Sequence, residues 1–331
     1  MEVREVGGVF STLMRKIKNG EFVITGEIEP EKTTNIGEIL EAAAKLKGYV
    51  VAVNITDNPQ GFAYMSGLLP SFLIQEVVGL EVIYQVTCRD RNRLAIFSDL
   101  LAAGSVGIRN ILALTGDHVV LGDVPQGKPV FDLDAAQLVW MIRRMVDEGV
   151  DPAGNPIDNP PKFHVGVAAN PNANPLEPEI LKLERKVSVG AEFVQTQVVY
   201  DIEVAKRFLD DVSYLKVPII IGICPLKSVK MAKWLDEKCP GISIPKDLME
   251  ELIRAKERGG KQAIWEVNIE YFGDFIRELR RTTRAAGVHV MAVGMEELIP
   301  PIIERAGLVK EAIDWRTYIV NKISKVILPQ K

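Results

Sequence analysis

The stretch that decides the fold is Asn110–Val120, NILALTGDHVV. A run fit for burial stops at Thr115-Gly116-Asp117, and a long loop follows. A short apolar run bounded by turn residues reads as a buried strand. This strand expels an aspartate from its C-terminal end, behind a glycine that lets the backbone pass close to another group. That is how the rim of a site is built.

The pattern repeats along the chain. Eight apolar runs occur, at Phe22–Ile28, Tyr49–Ile55, Leu80–Thr87, Ile108–Leu114, Phe163–Ala169, Phe193–Val199, Val217–Ile223 and Val288–Val293. Between them lie amphipathic segments with helical spacing. These are Ile36–Leu46 (after Asn35 as N-cap), Ser66–Val78, Arg91–Ala103, Asp134–Glu148, Glu177–Val189, Ile202–Leu215 and Ser228–Glu237. Two more, Lys246–Arg258 and Gln262–Ala286, precede the last strand. Gly104, Gly149, Gly190 and Gly287 sit where helices should stop. Strand–helix alternation predicts an α/β fold, a (β/α)8 TIM barrel in a single domain. An N-terminal helix is expected at about 8–20, and a C-terminal extension at about 309–331. The alternative is an open, doubly wound sheet. Eight strands with no obvious edge strand favour closure.

Totals narrow the function. A formal net charge of −4 over 331 residues offers phosphates no excess of Lys and Arg, which argues against nucleic acid as a partner. Three cysteines without a CxxC spacing suit a reducing cytoplasm, and Cys88 and Cys224 receive no role. The three histidines are scattered, so no metal site is expected. The N-terminus lacks the apolar core of a signal peptide, and no run reaches the roughly 20 apolar residues of a membrane span. No Walker loop occurs, and no GxGxxG follows a strand.

In a barrel, chemistry gathers at the C-terminal ends of the strands. There the sequence places Glu27, Asn54, Gln85, Thr115-Gly116-Asp117, Ala168, Asn170 and Gln197. Glu27, Gln85 and Gln197 fall inside strands, where a polar group is costly unless something uses it. A satisfied internal hydrogen bond, or an ion pair for Glu27, is the plain reading of each one alone. Six strands ending this way together point to a site. The loop after the fourth strand, HVVLGDVPQGKPVFDLD, is long enough to form part of a lid. The loop Asp151–Lys162 falls on the opposite face and reads as structural.

The sequence resembles the methylenetetrahydrofolate reductase family from about Phe22 to about Gly294. The resemblance is carried by GEIEPEK at the first strand, YQVTC at the third, ILALTGD at the fourth, LKLERKVSVGAEFVQTQVVYD around the sixth, and IIIGICPL with the later ISIP. It implies a flavin-bearing barrel that reduces 5,10-methylenetetrahydrofolate to 5-methyltetrahydrofolate. Glu27 matches the general acid that opens the substrate to a 5-iminium ion. Asp117 matches an aspartate beside flavin and pterin, and Gln197 a glutamine on the pterin. Flavin contacts are expected from Asn54, Gln85, Leu114, Thr115, Gly116, Asp117, Ala135, Ala168, Asn170, Asn174, Arg185 and Lys186. Asn54, Gln85, Thr115, Asn170 and Asn174 depart from the family's usual residues, so the flavin is FAD or FMN. The departures, with the C-terminal extension, resemble forms from anaerobic one-carbon metabolism. Those imply NAD(P)H or a protein such as reduced ferredoxin as donor, a small metal-binding partner subunit, and an oligomer or hetero-complex. Two other readings stand beside this one: a pterin-dependent methyltransferase, and a flavin-poor, non-catalytic subunit of an electron-transfer complex.

Overall fold

The computed structural model of the chain describes residues 8–239, 241–292 and 294–308. The extension expected from 309 and the end of the eighth run at Val293 lie outside the described residues. Eight parallel strands run in chain order: β1 (Val23–Ile28), β2 (Ala52–Ile55), β3 (Glu81–Thr87), β4 (Asn110–Leu114), β5 (His164–Ala169), β6 (Phe193–Val198), β7 (Ile219–Ile223) and β8 (Gly287–Val290). Each pairs with the next, and β8 pairs back onto β1, which closes the barrel and disposes of the open sheet. The strands start later than expected where helices claim the backbone. Tyr49 and Val50, for example, donate to Leu46 O and so finish the preceding helix.

The helices are α1 (Thr12–Lys18), α2 (Ile36–Leu46), α3 (Leu68–Leu73), α4 (Arg93–Ser105), α5 (Ala135–Arg143), α6 (Glu177–Ser188), α7 (Ile202–Asp211), α8 (Val229–Lys238), α9 (Lys246–Thr282) and α10 (Ile299–Arg305). Side chains of Asn35, Asn92, Asp134, Asp201 and Ser228 cap helix starts, as short polar residues do. α9 is two helical arms divided at Gly259-Gly260, where Gly260 takes φ 59 and ψ −133, a conformation that only glycine adopts without strain. Among the described residues, no helix is long and apolar enough to cross a membrane.

The barrel interior is layered. At the bottom, Val23, Ala52, Ile83, Leu112, Phe193 and Ile220 from six strands pack on Leu13, Met14 and Ile17 of α1. α1 therefore plugs the N-terminal end. Its first amides, Thr12 N and Leu13 N, donate to the Glu81 carboxylate at 2.7 and 2.9 Å, which satisfies orphan helix donors and suits the helix dipole. His164 accepts from Phe10 N at 2.9 Å and bonds Glu192 through its other nitrogen at 2.8 Å. Phe193 reaches across because Gly166 on β5 leaves room: a Cβ there would lie 2.2 Å from the ring. Gly166→Ala is expected to destabilise the fold by about 2 kcal/mol through overpacking. Urea unfolding checks this, and an unchanged midpoint would show that the ring can move aside.

Candidate active site

Above the apolar plug the interior turns polar. Strand alternation puts Thr25 and Glu27 on the same, inward side of β1. Around Thr25 lies a bonded set drawn from four strands. Asn54 Nδ2 donates to Gln195 Oε1 at 2.7 Å, and Gln195 Nε2 donates back to Asn54 Oδ1 at 3.0 Å. Gln195 Nε2 also donates to Thr25 Oγ1 at 3.2 Å. Thr25 Oγ1 lies 2.9 Å from His289 Nδ1, and His289 Nε2 lies 3.4 Å from Glu27 Oε2. One donor order satisfies the whole path. Thr25 gives its proton to Nδ1, so the neutral imidazole carries its own proton on Nε2 and donates it to the carboxylate.

Glu27 is the upper end of this path. Gln85 Nε2 donates to the same carboxylate oxygen at 3.2 Å, and the Glu27 side chain is 12% exposed. The carboxylate is thus fixed by two donors while keeping an opening to the mouth. Glu29, just past the strand, has a carboxyl pushed up to about 7 by burial, and then by the negative charges of Glu27, Glu31 and Glu296. The folded chain holds that proton more tightly than the unfolded chain. Its contribution to stability is full below about 4.5 and is lost as pH rises through 7. Glu29→Gln is therefore expected to stabilise the protein by about 3 kcal/mol at pH 8 and by almost nothing at pH 4. Denaturation midpoints at the two pH values test this, and a gain independent of pH would contradict it.

The TGD turn sits at the end of β4. Asp117 is exposed, and its backbone carbonyl accepts from Arg89 Nη1 at 3.1 Å. Arg89 is fully buried; it also donates to Asn58 O at 2.9 Å and binds both Asp90 oxygens at 2.7 Å. One guanidinium thus ties together the loops after β2, β3 and β4. Gly116 has φ 92, and a Cβ there would lie 3.0 Å from Arg89 Cβ and 3.2 Å from Thr87 Cβ. The turn and this close packing account for the glycine without any ligand. Next to it, buried Asp57 accepts from Thr87 N at 2.8 Å and from Arg91, and burial pushes its carboxyl up against the pull of Arg91 and Thr87. The long loop expected as a lid is tied down: Asp123 accepts from Lys32 and from Ala63 N at 3.0 Å, and Val130 N donates to Arg89 O at 2.7 Å.

The other expected residues spread along the rim. Gln197 is exposed near the end of β6, within the register shift between Gln195 and Val198. Leu114 ends β4, and Thr115 Oγ1 accepts from Ala135 N at 3.2 Å, which joins β4 to the start of α5. Arg185 is exposed and pairs with Asp134 at 3.1 Å. Lys186 donates to Ala168 O at 2.7 Å, and burial holds its ammonium below the usual lysine range. Asn170 accepts from Asn172 N at 3.0 Å and packs on Gly241, while Asn174 is exposed. Asn54 is fully buried in the amide pair with Gln195, below the mouth rather than on it. Glu27 and Gln85 are brought into contact; Asn174 joins none of the bonded groups described here. The sequence reading missed Thr25, His289 and Arg89, and gave Gln195, on the sixth strand beside Gln197, no role of its own. His289 carries the signal that singled out Glu27, a polar residue inside an apolar run.

The donor set fits a flavin. Amides of Gln85 and Gln197 suit the polar edge of an isoalloxazine, and Lys186, whose charge burial disfavours, would gain from a phosphate. Thr56 Oγ1, buried at the end of β2, has no protein partner and offers one more hydrogen bond.

The sequence model of the family described as methylenetetrahydrofolate reductase matches residues 12–307. The chain is 28% identical over 299 residues to "Methylenetetrahydrofolate reductase 1" of Schizosaccharomyces pombe, covering 85% of this chain and 45% of that one. It is 28% identical over 215 residues to the "5,10-methylenetetrahydrofolate reductase" of Salmonella typhimurium, covering 63% and 64% of the two chains. It thus spans about half the length of the fission yeast relative. Among solved structures, an uncharacterized protein from Clostridium thermocellum that "binds two copies of 5-methyl-5,6,7,8-tetrahydrofolic acid" shares the fold. Its TM-score is 0.62 at 20% identity, over 90% of this chain and all of that one. The closed barrel, the glutamate at its mouth and a match across nearly the whole described chain place this protein in the methylenetetrahydrofolate reductase family.

Proposed function

We propose that the protein reduces 5,10-methylenetetrahydrofolate to 5-methyltetrahydrofolate as a flavin-dependent oxidoreductase. The observation that carries this is the Glu27 carboxyl group, held by Gln85 and His289 yet open to the mouth. The methylene of the substrate bridges N5 and N10 and accepts no hydride while closed. Glu27, carrying its proton on Oε1, the oxygen that Gln85 and His289 do not bond, gives that proton to N10; the N10–methylene bond breaks, and its electrons stay on N10. The carbon left on N5 is a cationic iminium. Asp117, exposed at the end of β4, places a negative charge near that cation and favours ring opening. Gln197 orients the pterin through its amide. His289 and Thr25 hold Glu27 in position, and the Asn54–Gln195 pair keeps the layer beneath it rigid.

Family membership implies a flavin, which when bound supplies hydride to the one-carbon unit. Lys186 and Arg185 would face its phosphate, and Gln85, Thr115, Gly116, Ala135, Ala168 and Asn170 line its side of the mouth. FMN, which has no adenine half, asks less of this rim than FAD. The barrel works as one domain in a reducing cytoplasm, where the buried Cys88 and Cys224 thiols, pushed up to about 12 by burial, stay inert. The electron donor is NAD(P)H or a reduced protein. The purified protein, reduced anaerobically, should convert methylenetetrahydrofolate to 5-methyltetrahydrofolate identified by mass, and heat should release a stoichiometric flavin. Absence of the methylated product with flavin present would overturn the reading.

A further inference from the structure

The proton that Glu27 gives up has to be replaced before the next turnover. Two residues on stands a second carboxyl group, Glu29. Thr56 N donates to Ile28 O at 3.3 Å, so the pairing of β1 with β2 reaches the Ile28–Glu29 peptide. Strand alternation then sets Glu29 on the side of Glu27, roughly 6.5 Å further along the barrel. Glu29 is half-buried. Burial, and then the charge of Glu27, push its carboxyl up to about 7, so it still holds a proton near neutral pH.

Glu29 also lines a recess of about 240 Å³ between the end of β1, α2 and the turn after β8, a space with room for several waters. The charged groups around it are mostly acids: Glu31 past the strand, Glu38 and Glu41 on α2, and Glu296 after β8. Among the described residues lining the recess, Lys45 is the one cation, and Glu297 engages it at 3.1 Å. Tyr64 and Cys224, after β2 and β7, also feel the Glu29 charge, and burial keeps both neutral at pH 7. No cation among these groups is free to draw the proton off Glu29.

We propose that Glu29 is the proton reservoir for Glu27, filled from water in the recess. The role rests on the reductase reading above. Once Glu27 has protonated N10, its Oε1 is a negative oxygen. The Glu29 proton passes through water to that oxygen, which leaves Glu29 a carboxylate. A water proton from the recess then restores Glu29. Each turnover so takes one proton from solvent, which ends on N10, beside the hydride that ends on the one-carbon unit. Glu29 acts through Glu27 rather than on the folate.

The pH profile of folate reduction tests it. Wild type should lose rate above about pH 7, where the reservoir empties. In Glu29→Gln that limb should lie about one pH unit lower, a roughly tenfold loss near neutral pH, with rates at about pH 5 within about twofold of wild type. Glu29→Asp should restore most of the loss. Infrared titration reads the pair without folate. The carbonyl band of a protonated carboxyl that fades near pH 7 should be missing from Glu29→Gln. In Glu27→Gln it should fade at lower pH, because the neighbouring charge is gone. An unmoved limb in Glu29→Gln, or a band indifferent to Glu27→Gln, would overturn the inference. A wild type that makes no methylated folate at any pH would instead remove the reductase reading, and this role with it, whatever the infrared titration shows.

Discussion

Replacing Glu27 by Gln is expected to slow methylenetetrahydrofolate reduction about 10³-fold, the scale of a lost general acid. The amide fills the same space and still accepts from Gln85 and His289, so the barrel layer stays intact. It has no acidic proton to give to N10. Binding of 5-methyltetrahydrofolate should therefore change by less than about threefold, and reduction of the enzyme by its donor should be unaffected. Single-turnover kinetics of the two half-reactions, with an equilibrium folate titration, separates these quantities. Equal losses in both half-reactions would show that Glu27 supports the site's structure rather than acting as its acid.

The second large effect is expected at Arg89, which carries no chemistry of its own. Arg89→Met should cost about 3–4 kcal/mol of stability, because the change keeps the packing volume but removes every donor. Asp90 would lose its buried partner, and the carbonyls of Asn58 and Asp117 would lose their hydrogen bonds. The same change should weaken folate turnover, since the loop bearing Asp117 would lose the tie that fixes its backbone. Urea denaturation measures the first effect and the ratio of kcat to KM the second. A stable variant with wild-type turnover would mean that the three loops hold their places by packing alone.

The barrel was legible because its signal is local. Each strand is a short apolar run, each helix has its spacing, and many starts carry a capping residue such as Asn35 or Asp134. Even the break in α9 shows in the sequence, as two helical patterns on either side of Gly259-Gly260. Glu27 and Gln85 were visible as polar residues in apolar strands. What they touch was not. The Thr25–His289 bond joins residues 264 apart in sequence, and the Asn54–Gln195 pair joins residues 141 apart across the barrel. Periodicity says which side of a strand a residue faces, but not which residue on another strand lies opposite it. Asn54 was therefore expected on the flavin and found in the interior. Arg89 was invisible for a related reason: an arginine after a strand reads as a surface charge until three loops close over it.

The central claim is that Glu27 lies against the folate at the barrel mouth. A crystal structure with 5-methyltetrahydrofolate tests it most directly. The pterin should lie across the C-terminal ends of β1, β4 and β6, with Glu27 and Gln197 within about 3.2 Å of its nitrogens or oxygens. A folate bound elsewhere, or at the mouth with Glu27 beyond reach of any pterin atom, would contradict the account.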